Sequence, residues 1–522
     1  MTQKITTAMP TAVYLISYAI TTLLAATLYL MPGGAEYITN RGTVLAEKAF
    51  QMIGSPTYLI LLYLPVVIVP PVAWLTIRLL QKPARILQKV LPLELHIVTP
   101  VLWAIAAISI VYCTLTLHYA GALDTGLLSD GDYISKTTRR LDLLKELGFT
   151  FFAFAYGINL IVPIMAFIAY VMQGGKARDL ALFIVSFAFF LFTITATYSK
   201  AQILVYLIMM GVAFVITRAK FKYVAIVSSV SVLTFILTGY AMNPPAPNAG
   251  TTQESSAQRP KSMEIIVTTD FVAPSTVLTY GVSSAVNSVD QTNAKDPQAE
   301  EHQARPKQAN DQSVAMEIPV TLANLGVLPV PQIGARIQPS EPKAKQSSVT
   351  VDGGHIMSYV KRLSGDALHR MAAATPFYVA MFESESERCG IQGNLVRELL
   401  AMPEAKCVLP IKVFNAMYPQ VSWAQGQQPA PATLSAYGEL GLWWSICVMV
   451  LCGLFLGILG TIGGLSSSPL FIGFTVAACS FAYYLTQVSI IASFTYPHGI
   501  FASMIPIAVL LAAALIKRRA KA

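Results

Sequence analysis

Long apolar runs, each close to the length a bilayer demands, alternate along this chain with short polar turns. Spanning a hydrocarbon core takes about 20 predominantly apolar residues in a helix. Ten runs meet that measure: approximately 9–31, 57–78, 97–117, 149–172, 179–199, 201–217, 223–242, 438–460, 469–492 and 499–516. The pattern predicts an all-α polytopic membrane protein of about ten transmembrane helices, because a helix closes its own backbone hydrogen bonds where no water reaches. Only the polar knot Tyr198, Ser199 and Lys200 divides the fifth run from the sixth, so a tight turn is expected there. The first run is long enough to span and lacks a small-residue cleavage site, which predicts a retained helix rather than a removable leader.

Between the seventh and eighth runs lies a long polar region that divides in two. From 243 to 348 it is rich in Pro, Gln, Ala, Asn, Ser and Thr, as in NPPAPNAGTTQESSAQRPKS. Such a stretch buries too little apolar area to offset its ordering entropy, so a mobile insertion is expected, interrupted by apolar islands near 265–282 and 315–337. From 349 to 437 the pattern is firmer. Ile356, Val360, Leu363, Ala367 and Met371 recur at helical spacing, with Arg362, Asp366 and Arg370 on another face. Pro376 is expected to interrupt the run before FYVAMF, a helix is expected over 394–402, and VFNAMY reads as a short one. The chain thus divides into a membrane block over 1–242, the insertion over 243–348, a helical lid over 349–437 and a second membrane block over 438–522.

Composition narrows the class. A chain that is 54% hydrophobic and 12% charged is not an ordinary soluble globule. Its net charge of +9 would suit nucleic acid, but the Lys and Arg sit beside apolar runs, where they orient helices. Arg78, Lys82, Arg85 and Lys89 follow the second run, Lys176 and Arg178 the fourth, Arg218, Lys220 and Lys222 the sixth, and Lys517, Arg518, Arg519 and Lys521 the last. With ten crossings all four clusters share one side, so both termini are expected in the cytoplasm and the long polar region and Lys200 outside. Of six cysteines, Cys113, Cys447, Cys452 and Cys479 fall in apolar runs as small core or lipid-facing residues. Cys389 and Cys407 lie in the polar region, where an oxidising compartment would allow a disulfide worth about 3 kcal/mol. Two unpaired thiols are the alternative.

No phosphate-binding glycine loop, zinc-ligand spacing, lipase elbow or nucleotide-binding signature appears, so neither a metal nor a cofactor is expected. The outward regions offer cations instead: Arg139, Arg140, Lys200, Arg362, Arg370, Arg388 and Arg397. Guanidinium grips phosphate oxygens in a bidentate fork and stabilises a departing diphosphate. A salt-bridge ladder through Arg362, Asp366 and Arg370 is the plainer reading. Glu383, Glu385, Glu387, Glu439, His369 and His498 are candidate proton acceptors. The alternating Glu run also reads as a solvated loop, His498 as a cap, and Glu439, at the start of the eighth run, as a residue favouring the helix dipole. Lys200, in a short turn without a sequence-local counter-charge, needs a partner.

Taken in order, TYSKAQILVYLI, a large outward loop, HRM and TPFYVAMF, then LSAYGELGLWW, the chain resembles the O-antigen polymerase group, the oligosaccharide repeat unit polymerases or Wzy-type proteins. The resemblance covers about 150–450. It implies a GT-C-like bacterial inner-membrane glycosyltransferase that is metal-independent and inverting. An undecaprenyl-diphosphate-linked glycan would pass to a hydroxyl of another lipid-linked repeat unit at the periplasmic face. Carried over, Arg370 matches the family's arginine before the apolar stretch and Lys200 its lysine at a helix start. Tyr437 and Gly438 match the opening of the helix after the loop, and Arg139 and Arg140 match by lying in the analogous outer loop. The catalytic candidates are Arg370, Lys200, Glu439 and His369; the diphosphate candidates are Arg139, Arg140, Arg362 and Tyr437. Implied partners are the lipid-linked oligosaccharide, the bilayer and a chain-length regulator, with no nucleic acid. O-antigen ligases and the SEDS peptidoglycan polymerases share the crossing pattern; a flippase or transporter and a structural assembly partner are readings from other classes.

Overall fold

The computed structural model describes residues 2–31, 44–90, 95–123, 143, 146–197, 199–242, 373–392, 402–419, 427–495 and 499–520. They belong to one compact unit formed by Met1–Pro247 and Val351–Ala522. The predicted insertion with its apolar islands, the predicted helix over 355–371, and all but Met402 of the helix predicted over 394–402 lie outside the described residues; Met402 is not helical.

Regular structure among the described residues is helical throughout. Helix α1 runs through Thr2–Tyr18, a π-helical turn Ala19–Leu23 and Leu24–Leu28; α2 is Val44–Met52, α3 Pro56–Val90 and α4 Thr99–Tyr119. Helix α5 spans Glu146–Met172 and contains the π-helical turn Ala153–Ile158. Then come α6 (Ala177–Ala196), α7 (Lys200–Thr217) and α8 (Phe221–Met242). In the lid α9 covers 373–381 and α10 Leu409–Met417, followed by α11 (Ala432–Leu440), α12 (Leu442–Gly463), α13 (Pro469–Tyr484), α14 (Ile490–Thr495) and α15 (Ile500–Arg519).

Eight stretches among the described residues are long and apolar enough to cross a membrane: α1, α3, α4, α5, α6, α8, α12 and the stretch Ile490–Arg519 holding α14 and α15. The protein is therefore built as a multi-pass membrane protein. The sixth and ninth predicted runs form shorter apolar helices, Ala201–Thr217 and Pro469–Tyr484. At 16 residues α13 rises about 24 Å, less than a hydrocarbon core. Nearly all its side chains are buried, so it meets other helices and its length is not set by lipid. Helix α8 is the opposite case, with Phe221, Ile226, Leu233 and Leu237 exposed as a lipid-facing surface requires.

Helices α3 and α12 make the closest pairing, through glycines. A Cβ on Gly453 would stand 2.8 Å from the Val69 carbonyl oxygen, and one on Gly457 2.7 Å from that of Ala73. Without a hydrophobic drive between helices in lipid, such close backbone approach supplies the packing. Contacts advance together, Gly453 on Val69 and Gly457 on Ala73, so α3 and α12 run parallel. Thr7, near the start of α1, lies against Gly460 and Gly464 at the end of α12. Prolines within helices are accommodated by neighbours. Pro65 cannot donate to the Leu61 carbonyl; the Tyr18 hydroxyl donates to it at 3.2 Å and to Leu62 O at 3.0 Å.

Several boundaries differ from the hydropathy reading. The eighth run starts at Leu442 instead of 438, because Gly441 breaks the chain with φ 94°, leaving Glu439 in the separate helix α11. The ninth ends at Tyr484, where Leu485 and Gln487 turn their carbonyls to the lid, instead of reaching 492. Residues 373–381 are helical straight through Pro376, so that proline does not interrupt the run there. VFNAMY does form a short helix, within α10.

Candidate functional site

The site grows from α11. Every residue from Ala432 to Glu439 is buried, so this short helix is held by neighbours on all sides. At its start, the Ala432 N–H donates to Leu485 O at 2.8 Å and the Ala430 N–H to Gln487 O at 3.0 Å. At its end, Gly441 adopts a backbone conformation that a side chain disfavours. Ser445 Oγ, one turn into α12, donates back to Thr433 O at 2.7 Å. The end of α13 also meets the start of α7, where Tyr484 Oη donates to Gln202 Oε1 at 2.9 Å. Helix α11 and the first turn of α7, which begins with Lys200, therefore lie at the same end of the bundle.

The last turn of α11 is covered by the strap 388–392. The N–H groups of Cys389 and Gly390 donate to Gly438 O (3.0 Å) and Glu439 O (3.1 Å), satisfying carbonyls that a helix terminus leaves open. Cys389 and Cys407 form a disulfide, with Cα atoms 5.0 Å apart, and the Lys406 N–H donates to Cys389 O at 2.8 Å. The Gln392 amide finishes the strap: Nε2 donates to Gly390 O (3.1 Å) and Cys407 O (3.0 Å), and Oε1 accepts from the Leu409 N–H (3.4 Å).

Beneath the strap sits the Glu439 carboxyl group, 3% exposed. Trp444 Nε1–H donates to Oε2 at 2.9 Å and the Gln392 backbone N–H to Oε1 at 3.4 Å. Burial raises its pKa to about 7, against the downward pull of those two donors. Near neutral pH the group is thus divided between acid and carboxylate, the condition that suits proton transfer. Burial also raises the Tyr437 phenol, with the nearby Arg388 working in the opposite sense.

Arg388 lies over Gly441, where a Cβ would come 2.6 Å from its Cζ. Its Nη1 donates to Glu385 Oε1 at 3.2 Å and to Leu440 O at 3.4 Å, while its Nε is shielded from solvent and has no partner. Outside it, the alternating acids meet three cations from different elements: Glu383 with Lys48 of α2 (3.4 Å), Glu385 with Arg388, and Glu387 with Lys412 of α10 (3.1 Å). The run expected as a solvated loop is exposed, yet each acid has a partner.

Of the sequence candidates, Glu439 and Tyr437 sit together in α11, next to the Cys389–Cys407 disulfide. Lys200 opens α7, and its side chain lies outside the described residues, as do Arg139, Arg140, Arg362, His369, Arg370, Arg397 and His498. Gln392 and Trp444 were not singled out by sequence reasoning. Trp444 lies five residues beyond Glu439, a spacing that signals contact only once Gly441 is known to bend the chain. Gln392 carries no sequence signal at all. Among the described residues no three His, Cys, Asp or Glu side chains are grouped to hold a metal ion. The arrangement offers a proton-exchanging carboxyl and a guanidinium with a free donor. No family model, curated protein or solved structure matches this chain, so the reading of the site rests on its own geometry.

Proposed function

We propose that the protein is a polysaccharide repeat-unit polymerase of the bacterial inner membrane. It transfers an undecaprenyl-diphosphate-linked glycan to a hydroxyl of another lipid-linked unit, at the periplasmic face. The observation that carries this reading is Glu439, a buried carboxyl group with its pKa raised to about 7, beside Arg388 at the end of the bundle where Lys200 opens a helix. The Glu439 carboxylate takes the proton of the acceptor hydroxyl as that oxygen attacks the donor sugar. Arg388, with Lys200 and Arg370, holds the diphosphate that leaves.

Ten crossings with both termini in the cytoplasm are the topology this requires. The parallel course of α3 and α12 supports it, since both then run from outside to inside, and a disulfide at the Glu439 end suits an oxidising periplasm. A polysaccharide gel tests the reaction. Glu439→Gln and Arg370→Ala, each inserted at wild-type level, are expected to abolish long-chain glycan and leave single repeat units. Undiminished chain length in Glu439→Gln would remove the carboxyl group from the chemistry and leave it as an anchor for the strap.

A further inference from the structure

We infer that the end of the bundle opposite Glu439 holds a binding site for a phosphate-bearing anion. Two adjoining cavities, of about 460 Å³ and about 380 Å³, share His96 as a wall. The first is bordered by Ser466, Ser467 and Ser468, which precede α13, and by Gln3 of α1. Lys517 and Arg518, at the end of α15, border the second. The second cavity thus brings an ammonium and a guanidinium from α15 together with the imidazole of His96, which it shares with the first, serine-lined cavity. Among the described residues no Asp or Glu lines either cavity.

A concave surface that offers donors and positive charge without a carboxylate is complementary to an anion. Phosphate oxygens fit it best, because guanidinium binds two of them at once and ammonium adds a point charge. Of the three serines, Ser467 is exposed at the first cavity and adds a hydroxyl donor there. Membrane orientation alone would account for cations here. It does not account for their lining a cavity, and Arg519, the next residue, carries the same orienting charge without lining either one. The phosphate belongs either to a phospholipid headgroup of the adjoining leaflet or to a soluble phosphorylated molecule. The inference is independent of the reaction proposed above.

Native mass spectrometry of the full-length protein in non-ionic detergent separates these cases, with phosphatidylglycerol, phosphatidylcholine and inorganic phosphate as probes. Lys517→Gln with Arg518→Gln is compared with Lys89→Gln with Arg519→Gln, which removes equal charge away from the cavities. The cavity variant is expected to bind on the order of tenfold more weakly, the control as wild type. Retained phosphatidylglycerol that inorganic phosphate does not displace identifies a lipid headgroup; displacement identifies a soluble phosphate. Equal losses in both variants would reduce the effect to bulk charge and overturn the inference, and so would the absence of binding by any probe. His96→Ala repeats the comparison if the double variant fails to fold.

Discussion

The two ends of the helix bundle handle polar groups in opposite ways. Around Glu439, lid backbone donates to helix carbonyls, a disulfide closes the strap, and the ionisable group is sealed from water. At the other end His96, Lys517 and Arg518 stand exposed around open cavities. Burying a carboxyl group costs free energy unless it is hydrogen-bonded; Glu439 receives two such bonds, from Trp444 and Gln392, whereas Asp179, buried beside Arg178 at the start of α6, has none. The difference marks the surroundings of Glu439 as the place where a protonation state is controlled and the cavities around His96 as one where charge is simply presented.

The sharpest way to break this comparison is to open the strap. Cys389 and Cys407 are 18 residues apart, and closing a loop of that length stabilises by about 3 kcal/mol. Reduction, or Cys389→Ser with Cys407→Ser, is expected to lower the melting temperature in detergent and to expose 388–409 to protease. Cleavage near residues 465–468 should not change. A reduced protein that melts and is cleaved like the oxidised one would show that the hydrogen bonds of Gln392 and α11 hold the strap unaided.

Next in size is the response to pH. The folded pKa of Glu439, about 7, lies above its ordinary value of 4.5. Between those values the folded state keeps a proton that the unfolded state has released, so stability falls as pH rises, and the penalty is complete above about 7. From pH 5 to pH 8 the loss amounts to about 2.5 kcal/mol. Glu439→Gln, which cannot ionise, is expected to flatten the fall in melting temperature over that window. A fall of equal depth in the variant would assign the pH response to another group.

The membrane helices were legible in the sequence because lipid leaves a chain so few options: every apolar run found a helix, and the α3–α12 pairing rests on Gly453 and Gly457. The end of α13 was not legible. Leu485–Ser489 still reads as part of an apolar run, and it turns because residues 430 and 432, more than fifty positions away in sequence, take its carbonyls. Glu439 was visible as an acid at a helix boundary. Its burial was not, since Trp444 reaches it only across the break at Gly441 and Gln392 only after the disulfide has folded the strap back. Local spacing records what a helix face can do, whereas a site assembled from three separated segments leaves no periodic trace.

The smallest expected effect belongs to the rim of the closed end. Lys412 Nζ stands 3.1 Å from Glu387 Oε2 and donates to the Glu387 carbonyl at 3.0 Å, with both side chains partly in solvent. Exposed pairs of this kind contribute about 0.5 kcal/mol and are screened by salt. Lys412→Gln should therefore shift the melting temperature by little, and the shift should vanish at high ionic strength, whereas the effect of reducing the disulfide should persist there. If Lys412→Gln instead destabilised as much as reduction does, and did so in high salt, the acidic run would be part of the clasp on Glu439. The closed end would then extend out to Glu387, with its charges as well as its backbone holding the strap in place.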